Sequence, residues 1–232
     1  MFTGWFKHYS MIRVNLFKPI IMKLHSIRSE YKYAELSESS IEKNPYKQFE
    51  NWLNDALNAK VNEPTAMSLV TFGIDVFPDS RIVLLKDYGE SGFTFFTNYN
   101  SNKGKSIAKN SAVGLHFFWP ELERQIRISG FAEKISDEVS DQYFNSRPVL
   151  SQIAAIVSNQ SSKIQSREIL ENSFDSEREK IGDEVIKRPA NWGGFIVKPV
   201  KFEFWQGRES RLHDRILFEK QQENWTISRL AP

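Results

Sequence analysis

The chain contains no cysteine. That excludes a disulfide framework, a thiolate nucleophile and a zinc–cysteine centre, and it fits a reducing compartment such as the cytoplasm. An excess of either charge is also lacking: 31 Lys and Arg stand against 29 Asp and Glu, a formal +2 over 232 residues. Bulk nucleic-acid binding draws on a basic face. Here basic residues gather only locally, from Lys103 to Lys109 and from Arg208 to Arg215, in clusters sized for a small phosphate. No run of about 20 apolar residues occurs, the length a membrane-spanning helix needs. Acids are absent from the first 29 residues, which carry Lys7, Arg13, Lys18, Lys23 and Arg28 among Phe2, Trp5, Phe6 and Phe17. This stretch reads as an organelle-targeting peptide, a disordered tail or a segment upstream of a working start at Met22. Internal repeats and low-complexity tracts are missing too. What remains is 40% hydrophobic, enough for one domain with a tail that buries about 70–75% of its unfolded surface.

Local patterns predict many short strands with a few helices between them. Residues 32–45 are polar and Ser/Glu-rich and read as a linker. Phe49, Trp52, Leu53 and Leu57 recur at helical spacing, predicting a helix over 45–60 that Asn62-Glu63-Pro64 ends. Strands are predicted at 66–72, 80–86, 93–97, 112–119, 122–135, 194–205, 211–218 and 225–229. Helices are predicted from Ser101 to Lys109, from Ser136 towards Ser146, from Pro148 onward, and from Ser166 to Ile181 as a charged surface helix. The series suggests a mainly β protein with helices, a β-barrel with helical excursions.

Four constellations carry chemistry. The first is Phe202 to Arg215, read as two strands joined by a turn. Period-two alternation then sets Arg211, His213 and Arg215 on one face and Leu212 and Asp214 on the other. Cations are poor core material but suit an anionic ligand, with imidazole able to move a proton near neutrality; the bland reading is a solvated edge strand. The second is Arg81-Ile82-Val83-Leu84-Leu85-Lys86, a strand with a cation at each end, its odd separation sending Arg81 and Lys86 to opposite faces. It reads equally as a buried strand with charged ends. The third is Phe96-Thr97-Asn98 followed by Ser101-Asn102-Lys103, a strand, turn and helix start whose free N–H groups and lysine suit a phosphate. The fourth is Tyr143, Arg147 and Ser151, spaced by four, one donor stripe if the helix is continuous and Pro148 does not bend it. Solvated polar residues on a helix face would look the same.

Trp205-Gln206, four residues, then Arg211-Leu212-His213-Asp214-Arg215 resembles the C-terminal motif of the pyridoxamine 5'-phosphate oxidase family, and the likeness runs in order from about Arg28 to Pro232. The resemblance implies a homodimeric, FMN-binding split β-barrel over 45–232, with its C-terminal part serving dimerisation and the active site, behind an N-terminal extension and lid segment over 1–44. It implies oxidation of pyridoxamine or pyridoxine 5'-phosphate to pyridoxal 5'-phosphate, with dioxygen as acceptor and hydrogen peroxide released. It assigns FMN to Arg81, Ile82, Val83, Leu84, Leu85, Lys86, Phe96, Thr97, Asn102, Lys103, Gln125, Gln160, Ser161, Trp205 and Arg215. It assigns substrate to Arg28, Ser29, Glu30, Tyr31, Lys86, Tyr143, Arg147, Ser151, Arg211, Leu212 and His213, with Arg211 and His213 catalytic and no metal. Three positions depart from the pattern: Phe96 where tyrosine is common, Asn102 where arginine is expected, and Glu63 where aspartate is usual. Two other readings remain: a flavin split-barrel enzyme with a different substrate, and a non-catalytic flavin- or pyridoxal-phosphate-binding protein.

Overall fold

The computed structural model describes residue 31 and residues 34–181 and 185–232. Helix α1, Pro45–Asn58, begins at Asn44, whose side chain accepts from the Tyr46 and Lys47 amides. Its apolar stripe sets Phe49 against Phe93 and Phe117, with ring centroids 4.8 and 5.2 Å apart, and Trp52 against Phe204 at 5.3 Å. Replacing Asn44 by alanine orphans helix N–H groups; we expect a loss of about 1 kcal/mol, read as a fall of about 2–4 °C in Tm.

Among the described residues nine strands follow: β1 Ala66–Thr71, β2 Asp79–Leu84, β3 Asp87–Gly89, β4 Gly92–Asn98, β5 Ala112–Trp119, β6 Arg124–Lys134, β7 Trp192–Gln206, β8 Asp214–Gln221 and β9 Asn224–Arg229. All pairings are antiparallel, in the order β2-β1-β5-β6-β7-β4-β3, with β8 on β7 and β9 on β8. Inward residues alternate as the period demands: Val113, Leu115, Phe117 and Trp119 on β5, and Ile126 and Ile128 on β6, are buried.

The segment from Asp79 to Gly89 closes the sheet on itself. β2 pairs with β1, then Leu85 donates its N–H to Thr65 O (2.9 Å) and Lys86 to Thr94 O (2.9 Å), and β3 pairs with β4. The opposite wall opens along β7. Its first half, Trp192–Val197, pairs with β4; its second half, Lys201–Gln206, pairs with β8, while β6 runs beside both. The switch falls at a register shift between Ser129 and Gly130, opposite Pro199. A Cβ on Gly130 would lie 2.3 Å from Lys198 O, so only glycine admits the kinked strand.

Helices α2 (Asn102–Lys109), α3 (Asp137–Ser146), α4 (Val149–Val157) and α5 (Arg167–Ile181) pack outside the sheet. Ser101 and Ser136 cap α2 and α3 by accepting from the Gly104 and Val139 amides. None of the described residues of α5 is buried, matching its expected surface role.

One sequence expectation is corrected. The stretch from Arg211 to His213 is not strand: residues 209–211 form a 3-10 turn in which Ser210 and Arg211 take left-handed φ of 54° and 62°. Arg211, His213 and Arg215 therefore do not share a strand face. Tyr143, Arg147 and Ser151 do not form one stripe, because the helix breaks before Pro148, as the proline in the sequence led us to expect. α3 ends at Ser146, and Arg147 is extended (φ −76°, ψ 150°), the conformation a following proline imposes.

Candidate active site

A trough of about 550 Å³ opens at the seam where β2 meets β4. β2 and its extension contribute Arg81, Ile82, Val83, Leu84 and Lys86; the odd spacing separates Arg81 from Lys86 across the strand, yet both border the same space. β4 contributes Phe96, Thr97 and Asn98, α2 Lys103, and the α3–α4 region Tyr143, Arg147, Ala154, Ala155 and Ser158, with Gln160 and Trp192 completing the wall. Four cations thus face one cavity.

Each cation is held differently. Arg81 donates to Leu69 O (3.2 Å) and Thr71 Oγ1 (2.9 Å) and pairs with Asp79. Lys103, 8% exposed, donates to Gln160 Oε1 (3.1 Å) and Ser101 Oγ (3.4 Å). Burial, and then the Arg81 charge, push its ammonium below the usual lysine range. Gly104 lets α2 start this close to β4: a Cβ there would meet Tyr99 O at 2.1 Å. The Asn102 side chain is exposed, and its N–H donates to Ser161 Oγ (3.2 Å). Arg147 lies with its guanidinium carbon 4.6 Å from the Trp192 ring centroid, and its Nη1 is buried with no hydrogen-bond partner. Phe96 stacks on Tyr143 at 3.8 Å.

The remaining expected residues lie elsewhere on the chain. Gln125, Trp205 and Arg215 are adjacent in register across β6, β7 and β8. Gln125 Oε1 is 3.1 Å from His116 Nε2, and Arg215 pairs with Glu203, Nε to Oε1 at 2.9 Å. Trp205 joins this strip to a second, smaller group: its ring lies 4.6 Å from His213 and 5.7 Å from Tyr31, which is itself 5.6 Å from His213. Gly207 accommodates Tyr31, since a Cβ would approach Tyr31 Cγ to 2.7 Å. A cavity of about 480 Å³ beside this group is lined by Tyr31, Arg208, Ser210 and Leu212 among others. Leu85 is buried in the core, and Ser151 and Ser161 do not line the trough. Arg28, Ser29 and Glu30 lie outside the described residues.

His213 Nδ1 accepts the Arg208 N–H at 3.1 Å, so the ring's proton sits on Nε2. Burial, then Arg211, hold its pKa below the ordinary histidine value, favouring this neutral, Nε2-donating form. Asp214 braces the turn, accepting from Leu36 N (3.1 Å), Arg208 (3.3 Å) and Arg229 (2.7 Å). Glutamine at 213 retains a donor near Nε2, whereas asparagine retains only the Arg208 acceptor. We expect the asparagine variant to lose about tenfold more kcat/KM than the glutamine variant, the scale of one hydrogen bond; steady-state kinetics of the pair decides. The sign with pH follows: the unfolded chain takes up this proton first, so this contribution to stability is present above the unfolded value and is lost as pH falls through the lowered folded one.

Sequence reasoning missed Trp192 and His116, and it named Arg208 in a basic cluster and Asp214 in a motif without giving either a role. Only Trp192 left a local signal, an aromatic before two glycines at a strand start.

A barrel closed at β2–β3, parted between β4 and β8, and lined with cations at its seam is a split barrel built to receive phosphorylated ligands. Residues 53–180 match the model of pyridoxamine 5'-phosphate oxidase, and residues 192–232 match the pyridoxine 5'-phosphate oxidase C-terminal dimerisation region. The pyridoxine/pyridoxamine 5'-phosphate oxidase of Haemophilus ducreyi is 51% identical over 211 residues, 91% of this chain and all of that one. Among solved structures, PhzG from Burkholderia lata, in complex with tetrahydrophenazine-1-carboxylic acid, superposes with TM-score 0.81 at 25% identity over 88% of this chain and all of that chain. A pyridoxamine 5'-phosphate oxidase-related, FMN binding protein from Nostoc punctiforme gives 0.67 at 15% identity, over 83% of this chain and all of that one, a likeness of fold. The chain belongs to the pyridoxamine 5'-phosphate oxidase family, a family of oxidoreductase enzymes.

Proposed function

We propose that this enzyme oxidises pyridoxamine and pyridoxine 5'-phosphates at C4' to pyridoxal 5'-phosphate, as a cytoplasmic homodimer with FMN as cofactor. The observation that carries the reading is Arg147 Nη1, buried, unpartnered and bordering a trough that also holds Arg81, Lys86 and Lys103. An orphaned, desolvated cation is costly unless an anion meets it.

The residues present fit FMN. Lys103, Arg81 and the N-terminus of α2 suit its phosphate, and the two cations stand in for the arginine that Asn102 replaces. Gln160 and Thr97 lie beside them, with Thr97 Oγ1 3.3 Å from Gln160 Oε1. When bound, FMN supplies a two-electron acceptor that dioxygen reoxidises with release of hydrogen peroxide. Lys86, Tyr143 and Arg147 hold the substrate's phosphate, with Ser151 nearby on α4. Arg211 positions the substrate and polarises its reacting group, and His213 presents its Nε2–H to orient it. Tyr31, at the end of the lid segment 28–31, covers His213 and excludes water. Gln125, Trp205 and Arg215 share no cavity with the trough. A second copy, joined through the matched dimerisation region, supplies them and the Arg211–His213 turn.

Anaerobic mixing of the yellow protein with pyridoxamine phosphate tests this. We expect the flavin band to bleach, to return on admitting air, and pyridoxal phosphate to accumulate. A flavin that stays oxidised at saturating substrate overturns the reading in favour of another substrate or a binding role.

A further inference from the structure

We propose that Trp192 is the positioning residue of the phosphate clamp: its indole face, in place of a carboxylate, holds the Arg147 guanidinium and leaves its full charge for the ligand. This rests on the trough being the seat of a phosphate ester.

A half-buried arginine is ordinarily held by an acid, which fixes its geometry but neutralises it. Arg147 has no such partner among the described residues. Its guanidinium carbon lies 4.6 Å from the Trp192 ring and 5.8 Å from Phe144, and Nη1 is buried without a hydrogen bond. Its backbone is anchored twice: its own N–H donates to Phe144 O at 3.2 Å, and Gln152 Nε2 donates to Arg147 O at 2.8 Å. An aromatic face attracts a cation without accepting its protons, so the N–H edge stays free for a phosphate.

The indole is itself fixed. Trp192 is 7% exposed, runs parallel to Tyr143 (6.2 Å, 4°) and Phe96 (5.6 Å, 14°), and meets Phe144 edge-on at 5.3 Å. Arg188 Nη1 donates to Trp192 O at 2.5 Å, while its other nitrogens reach Asp137 and Asp141, each at 2.6 Å, on the helix that delivers Tyr143. Arg188 thus ties the strand carrying Trp192 to the helix carrying Tyr143, and Arg147 follows that helix. Trp192 therefore governs where the charge stands, which sets the preference for a phosphorylated over an unphosphorylated substrate.

A double-mutant cycle on FMN-loaded protein tests this with W192L, W192F, R147Q and W192L/R147Q. W192L is expected to raise KM for pyridoxamine phosphate about tenfold, with the smaller part of the loss in kcat, and W192F to recover most of it. In the R147Q background W192L should add under about twofold, because the two act through one contact. An equal KM factor in both backgrounds, or lost flavin with unchanged KM, overturns the proposal. Absence of turnover in the unmodified enzyme sinks the functional reading instead. The cycle is then run on calorimetric binding of inorganic phosphate, where equal affinity of W192L and unmodified protein overturns the positioning role.

Discussion

Replacing Arg147 by glutamine is expected to lower kcat/KM for pyridoxamine phosphate by about 10²–10⁴-fold. Two charge-assisted hydrogen bonds to a phosphate, at about 1.5–3 kcal/mol each, set that scale. The same change should leave thermal stability unaltered or slightly raised. Among the described residues Arg147 has no ion-pair partner; burial pushes its guanidinium below the usual arginine range, the mark of a charge the fold carries at a cost. Flavin content should not change, because Arg147 stands with Tyr143 rather than with Lys103. Kinetics and a thermal melt on one preparation check both halves. A large drop in Tm would show Arg147 to be a structural residue, contrary to its proposed role.

Lys103 to methionine is expected to cost about 10²–10³-fold in FMN affinity, so that the protein purifies nearly colourless. Methionine fills the same buried space but removes a charge whose hydrogen-bond partners among the described residues are Gln160 and Ser101. Titrating FMN into apoprotein, followed by flavin fluorescence, measures the loss. pH supplies a second check. With the ammonium held below its usual range, the apoprotein binds fewer protons than the unfolded chain between the lowered value and the ordinary one. Its stability therefore rises with pH across that window. FMN affinity runs the opposite way, weakening as the ammonium deprotonates, and the methionine variant should lose both dependences.

Local chemistry made much of this fold legible. The serine caps of α2 and α3, the apolar stripe of α1, the alternation of β5 and β6 and the break at Pro148 are each a few residues long and follow from short-range sterics. The kink at Leu85–Lys86, which lets one segment serve two walls, depends on Thr65 and Thr94, remote partners that no window around it displays. The left-handed turn at Ser210 and Arg211 has no glycine to announce it; Asp214 and Arg208 impose it through Leu36 and Arg229, far away in sequence. Residue types in the trough were readable because each has a chemistry. The separation of these residues from the Gln125–Trp205–Arg215 strip and the His213 turn was not, because alternation describes faces and says nothing of how far apart two strands end.

β7 acts as a spar with a working part at each end. Trp192 and Trp205 are thirteen positions apart on one continuous strand, about 40 Å of contour at the usual rise per residue. Under the proposed function each catalytic centre joins the head of one copy to the tail of another, because a small ligand spans only a fraction of that contour. Lesions then segregate. In a mixed dimer of R147Q with R211A, both defects fall in one centre and the other is whole, so two poor enzymes combined should regain about half of full activity per mixed dimer.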